Sequence, residues 1–241
     1  MKVDTGRLIA QIAERPAETG VLLDIDGTLA PIVDRAEDAA VPEATRRILG
    51  RLADRYALVA CISGRPEEDA RRVVGVPELV YVGEHGLGLD PQAAEWAGRI
   101  DELLAEVDWP PERKPHSVAF HYRTAEDEAA ALDELRQVAE RAAALGLRPH
   151  WGRKVLEVRP PVDADKGTAV HMLLDERGLR RGLYAGDDST DVDAFRGLDG
   201  LELAVRIAVV SDEGPTELGD AADVVVGSTE ALAELLRGLM G

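Results

Sequence analysis

Two carboxylates two residues apart, in Asp24-Ile25-Asp26-Gly27-Thr28, follow directly on the apolar Val21-Leu22-Leu23. Alternate residues of an extended segment share a face, so both acids can enter one crevice at the carboxyl end of a buried strand. Crowded carboxylates raise each other's proton affinity unless a cation neutralises them. A magnesium ion held by oxygen ligands does so and also offers coordination to a phosphate. Asp-Gly is equally a common turn pair, so a solvated turn is the competing reading. A second acidic group, Gly186-Asp187-Asp188-Ser189-Thr190-Asp191, follows the apolar Leu183-Tyr184-Ala185. Two strand ends that carry acids are what a metal site between neighbouring parallel strands requires. The Ser189 to Asp191 stretch could also be a helix cap. Both can hold, with Asp187 toward the metal, Thr190 capping, and Asp191 in the first helical turn or bonded to metal-bound water. In Cys61-Ile62-Ser63-Gly64-Arg65 a hydroxyl after a strand can donate to a phosphate oxygen beside the turn amides. In Asp165-Lys166-Gly167 a lysine stands at the expected start of a helix, where positive charge is disfavoured unless it serves a bound anion.

These residues need elements to position them. Short apolar runs that alternate with amphipathic stretches predict a parallel sheet covered by helices. The expected strands are 21–23, 58–62, 79–82, 182–185, 205–209 and 224–226, with helices over 43–56, 67–74, 167–177, 191–196 and 229–239. The middle reads differently: long helices over 94–107 and 126–145, with alternating strands over 117–122 and 154–158. That pattern predicts an inserted α/β cap with Pro91 and Pro160-Pro161 at its hinges, against one continuous sheet as the alternative.

Taken in order, the four segments resemble the motifs of the haloacid dehalogenase superfamily of aspartyl phosphatases: Asp24 to Thr28 the first, Ser63 the second, Lys166 the third and Gly186 to Asp191 the fourth. The resemblance implies an α/β fold with a Rossmann-like parallel-sheet core over 1–90 and 161–241. A mixed α/β cap that sets substrate specificity is inserted over 91–160. It further implies that Asp24 is the nucleophile and that Asp26 is first the acid that protonates the departing oxygen, then the base that activates water. Ser63 and Lys166 would stabilise the transferred phosphoryl group. The magnesium ligands would be Asp24, the Asp26 backbone carbonyl and Asp187, with Asp188 and Asp191 in support.

Further strings resemble the trehalose-6-phosphate phosphatase family: Leu29-Ala30-Pro31-Ile32, Ser63-Gly64-Arg65-Pro66, Gly83-Glu84-His85-Gly86, His121-Tyr122-Arg123 and Glu157-Val158-Arg159-Pro160. The likeness covers most of residues 20 to 197. It implies hydrolysis of trehalose-6-phosphate, with another sugar phosphate, such as sucrose phosphate or a phosphorylated glycosyl-glycerate, as the nearest rival. A disaccharide phosphate offers many hydroxyls, for which Arg123, Lys154, Glu157 and Arg159 of the cap and Arg65 and His85 of the core are candidates. On the alternating strand around 154–159 half the charged side chains must face solvent in any case. Trp96, Trp109 and Trp151 are expected to pack within the cap. Val192, where an acid is expected, and Ser63, where threonine is also common, depart from the family pattern. A non-catalytic sugar-phosphate sensor and a receiver-like phospho-acceptor are the rivals from other classes. The set Asp24, Asp26, Lys166 and Asp187 argues against the first; Asp26, which promotes dephosphorylation, and the inserted cap argue against the second.

Composition sets the outer limits. A chain of 241 residues with 45% hydrophobic and 31% charged residues suits a soluble globular protein. Its net charge of −18 opposes nucleic acid and anionic membranes and demands a local cationic pocket for an anionic substrate. The single Cys61 excludes an internal disulfide and fits a reduced compartment. No run reaches membrane-spanning length and Met1 to Gly20 holds no signal-type apolar core, so a cytoplasmic protein is expected; a monomer is the separate expectation for its assembly. No synthase-like domain precedes the phosphatase segment, and the substrate is expected to come from another protein.

Overall fold

The computed structural model describes residues 4–33, 35–152, 154–211 and 214–241. The chain forms two compact units, Met1–Gly86 with Ala164–Gly241, and Leu87–Asp163. In chain order the first unit begins with α1 (Thr5–Ala13), β1 (Thr19–Leu23), α2 (Glu43–Arg55), β2 (Leu58–Ile62), α3 (Glu67–Val74) and β3 (Val80–Val82). The second unit contains α4 (Ala97–Leu104), β4 (Glu112–Arg113), β5 (Val118–His121), α5 (Glu128–Ala144), β6 (Arg148–Gly152) and β7 (Val155–Arg159). The chain then returns through α6 (Lys166–Asp175), β8 (Arg181–Gly186), α7 (Thr190–Arg196), β9 (Leu203–Val209), α8 (Thr216–Ala221), β10 (Val224–Val226) and α9 (Thr229–Gly238).

The larger unit is built on a six-stranded sheet of order β10-β9-β8-β1-β2-β3, with every adjacent pair parallel. Strands covered by helices on both faces lose the polar alternation of a half-exposed strand. Accordingly, all five residues of β1 and of β2 are buried. Their outward residues join α1, α2, α3 and α9 in one core that includes Ile12, Leu23, Leu49, Leu52, Cys61, Val73 and Leu236. Burial pushes the Cys61 thiol far up, which keeps it protonated and unreactive. β1 lies between β2 and β8, where the order of strands reverses, so its carboxyl end opens at the switch point at which such sheets bind ligands.

The smaller unit carries an antiparallel sheet of order β4-β5-β7-β6. One face of it packs on α4 and α5 through Val118, Phe120, Leu156, Val158, Leu135 and Val138. The expected helix over 94–107 is interrupted: a 3-10 turn, Pro91–Trp96, precedes α4, with Pro91 in its first turn and the Asp90 side chain accepting from the Gln92 amide. Pro91 therefore starts an element, four residues after the smaller unit begins at Leu87. Trp96 and Trp109 pack on the unit's core as expected. Trp151 does not: it is 41% exposed on β6, edge-on to Tyr122 at 6.5 Å between ring centres. No described helix is long and apolar enough to cross a membrane.

Candidate active site

Parallel pairing brings β1 and β8 to the same edge, with Leu23 opposite Ala185 and the Asp24 amide donating to the Ala185 carbonyl at 2.9 Å. The acids after each strand therefore meet. Carboxylate oxygens of Asp24, Asp187 and Asp191 lie within 4.8 Å of one another. Lys166, the first residue of α6, reaches the same point. Its Nζ stands 2.9 Å from Asp24 Oδ1 and 2.6 Å from Asp191 Oδ1, and the side chain is 3% exposed. α6 does not need the lysine for its start, because the Asp165 side chain and Thr168 form a reciprocal cap. Among the described residues of this cluster, three carboxylates face one ammonium, which leaves two excess negative charges.

The fold holds those charges at a cost. Burial, opposed by Lys166 and reinforced by Asp191 and Asp187, raises the pKa of Asp24 well above the usual carboxylate range. Burial and then Asp191 push Asp187 up to about 6, against the pull of Lys166, of a hydrogen bond with Asp24 and of the Thr28 hydroxyl. Burial and mutual repulsion thus make these two acids favour a proton or a cation between them. The residues fit magnesium: the donors are hard oxygens and the excess charge is that of a divalent ion. Gly27 leaves room for them. It has φ +79°, and a Cβ there would come within 2.0 Å of Asp187 Oδ2.

Asp191 has another task. Its Oδ1 accepts from Lys166 and from the Tyr184 hydroxyl at 2.8 Å, and its Oδ2 accepts from the Asp187 and Asp188 amides, each at 2.9 Å. With both oxygens engaged and the residue fully buried, Asp191 fixes the loop that carries Asp187. The expected capping by Thr190 is absent. Ser189 occupies the cap position without a side-chain capping bond, its hydroxyl donating to Asp188 instead, and the Asp191 carboxylate supplies the acceptor that the loop amides need. Asp188 is exposed and accepts from the Ser189 amide at 2.7 Å, so it stands outside the acidic cluster. Tyr184 was not foreseen. Its signal is its place on the apolar strand before the second acidic group, since a buried tyrosine hydroxyl needs a partner.

A second pair of turns lies beside the first. Ser63 is buried, and its hydroxyl accepts from the Arg65 amide at 3.2 Å. The Glu84 amide donates to the Arg65 carbonyl and the His85 amide to the Ser63 carbonyl, both at 2.9 Å, so the turn after β3 is tied to the turn after β2. Glu84 and His85 both have left-handed backbones, φ +49° and +56°. Consecutive strained residues persist only where surrounding structure enforces them, and they cluster at functional sites. Gly64 is needed here, because a Cβ would meet His85 Nε2 at 2.6 Å.

Two expected groupings differ from the observed ones. Asp26 does not join the acidic cluster: its carboxylate faces Arg65, which donates to both its oxygens at 2.7 Å. Arg65, expected on the substrate, is thereby engaged within the core. In the smaller unit, the buried Glu157 accepts from Lys114 at 2.9 Å and from the Ser117 hydroxyl at 3.4 Å, and is forked by Arg159. Lys154 pairs with Glu128 instead, from a left-handed position at φ +62°. Arg123 is exposed. The strand alternation that puts Glu157 and Arg159 on one face of β7 does not govern Lys154, which precedes the strand.

The profile of the trehalose-phosphatase family matches residues 22–110 and 111–222. A trehalose-phosphate phosphatase of Mycobacterium avium is 36% identical over 219 residues, covering 77% of this chain and 54% of the relative. The chain thus spans about half the length of that protein. The C-terminal domain of Candida albicans trehalose-6-phosphate phosphatase superposes with a TM-score of 0.74 at 22% identity, covering 98% of this chain and 97% of that one. A haloacid dehalogenase-like hydrolase of Bacteroides thetaiotaomicron superposes at 0.64 with 14% identity, over 91% and 98% of the two chains. The sheet with its reversed strand order is accordingly a haloacid dehalogenase-like core, and the chain belongs to the trehalose-phosphatase family.

Proposed function

We propose that this chain hydrolyses trehalose-6-phosphate to trehalose and phosphate through a phosphorylated Asp24. The observation that carries the reading is the meeting of Lys166, Asp24 and Asp187 at the switch point of a trehalose-phosphatase-family chain. A buried carboxylate held 2.9 Å from an ammonium is oriented for attack in a water-poor setting, where fixed charges act strongly.

In the first step an oxygen of Asp24 bonds to phosphorus as the bond from phosphorus to the sugar oxygen breaks. Asp26 gives its proton to that departing oxygen. In the second step Asp26 takes a proton from water, the water oxygen bonds to phosphorus, and the bond to Asp24 breaks, restoring both acids. Lys166 and the Ser63 hydroxyl face the phosphoryl oxygens and offset their charge, and the amides of the turns after β1 and β2 add donors. Magnesium, when bound by Asp24, Asp187 and the Asp26 carbonyl, supplies Lewis-acid charge to the phosphoryl group. The smaller unit is the substrate cap. Within it the buried Glu157 carboxylate holds Lys114 and Arg159 in place to donate to sugar hydroxyls, and the exposed Arg123 adds a cationic donor, with Lys154, partly exposed and paired with Glu128, beside it. His85 of the larger unit is a further candidate for the sugar.

Phosphate release across a panel of sugar phosphates tests the reading. At least about tenfold preference for trehalose-6-phosphate is expected, equivalent to about 1.4 kcal/mol of transition-state discrimination; a smaller preference overturns the choice of sugar. Asp24→Asn should abolish turnover and leave the fold intact, and an active Asp24 variant removes the covalent route.

A further inference from the structure

A carboxylate that takes a proton from water must present its oxygens in a fixed direction. Asp26 sits in the turn after β1 with its side chain 40% exposed, so packing alone does not fix its rotamer. Arg65 does. Its Nε and one terminal nitrogen donate to the two Asp26 oxygens at 2.7 Å each, a fork that sets the plane of the carboxylate. Its other terminal nitrogen donates to Asp69 Oδ2 at 2.5 Å and to the Ala36 carbonyl at 3.1 Å. Asp69, on α3, is held in turn by Arg72 at 2.6 Å. Nε and both terminal nitrogens of Arg65 are thus engaged within the larger unit, and the side chain is 12% exposed.

We propose that Arg65 is a positioning residue for Asp26, and that Asp69 positions Arg65. Neither is a ligand for the substrate. The proposal rests on the acid and base role of Asp26 given above, not on the identity of the sugar. Lys166 and Asp187 make no bond to the Arg65 side chain, and Ser63 meets only its backbone amide. Loss of the side chain should therefore slow proton transfer while phosphate binding stays as it is.

Arg65→Lys keeps the charge and loses the fork; Asp69→Asn keeps the shape and loses the carboxylate that steadies Arg65. A placed acid or base contributes about 10²–10⁴-fold, so Arg65→Lys should lower kcat for the sugar phosphate about tenfold or more with KM within about twofold. Asp69→Asn should lower kcat about threefold with KM unchanged. With 4-nitrophenyl phosphate the leaving group departs unprotonated. Arg65→Lys should then release nitrophenolate in a rapid burst equal to the enzyme present, followed by slow turnover as the phosphorylated Asp24 awaits its base. A tenfold rise in KM with kcat retained would make Arg65 a substrate ligand and overturn the proposal. So would wild-type kcat in Arg65→Lys, or equal slowing of burst and turnover, the mark of a merely structural role. Should Arg65→Lys fail to fold, Asp69→Asn carries the same comparison. If another sugar phosphate proves to be the substrate, the measurement is made on that one, and the assignment of Arg65 stands or falls separately from the sugar.

Discussion

Asp187 carries a charge that the metal-free fold disfavours. Burial and Asp191 raise its pKa from 3.8 to about 6. At about 1.4 kcal/mol per unit, ionising it in the folded chain at pH 7.5 costs about 3 kcal/mol relative to the unfolded chain. The raised value fixes the sign: the folded state binds this proton more tightly, so the contribution is most favourable below 3.8 and is lost as pH rises through 6. Asp187→Asn removes the charge and keeps an acceptor for the Thr28 hydroxyl, now 3.1 Å away. In EDTA at pH 7.5 the variant should melt above the wild type. At about 2–4 °C per kcal/mol for a chain of this size, the gain approaches 10 °C, measured by calorimetry. The gap should close as pH falls toward 4, where the wild-type acid is protonated. Magnesium should reverse the order at pH 7.5, because only the wild type gains stability from binding it. A variant that melts at or below wild type in EDTA across this pH range would refute the reasoning, for Asp187 would then be stabilised by its neighbours instead of held against them.

Lys166→Met should destabilise the fold by about 3–5 kcal/mol in urea titrations at pH 7.5, because it leaves Asp24 and Asp191 buried without their cation. The loss should shrink in acid as Asp24 protonates. Gly27→Ala places a Cβ 2.0 Å from Asp187 Oδ2 at φ +79°. It should abolish the magnesium-induced rise in melting temperature and cost about 1–2 kcal/mol in stability. Glu157→Gln weakens the paired Lys114 and Arg159 and should raise KM for the sugar phosphate about tenfold, with a smaller change in kcat, in steady-state assays.

The core strands were legible because burial on both faces writes them as apolar runs; β2 and β10 begin and end where the sequence places them. β4 and β6 were not. They are the edge strands of the smaller sheet and are exposed, so Arg148-Pro149-His150-Trp151-Gly152 shows no apolar period. α1 carries no motif that marks it in the sequence, although Ile9 and Ile12 anchor it in the core.

By itself the sequence singled out the groups: acids after two apolar strands, a lysine at a helix start, and a family likeness that orders them. Only the tertiary structure decided how those groups share the work. The parallel register of β1 and β8 sets Asp24 against Asp187, and the fold turns Asp191 inward to four donors and Asp26 outward to Arg65. Arg65 and Asp26 stand 39 residues apart in sequence. Spacing along a chain shows which side chains leave the same face of one element; which distant carboxylate receives which cation depends on the packing of strands and turns.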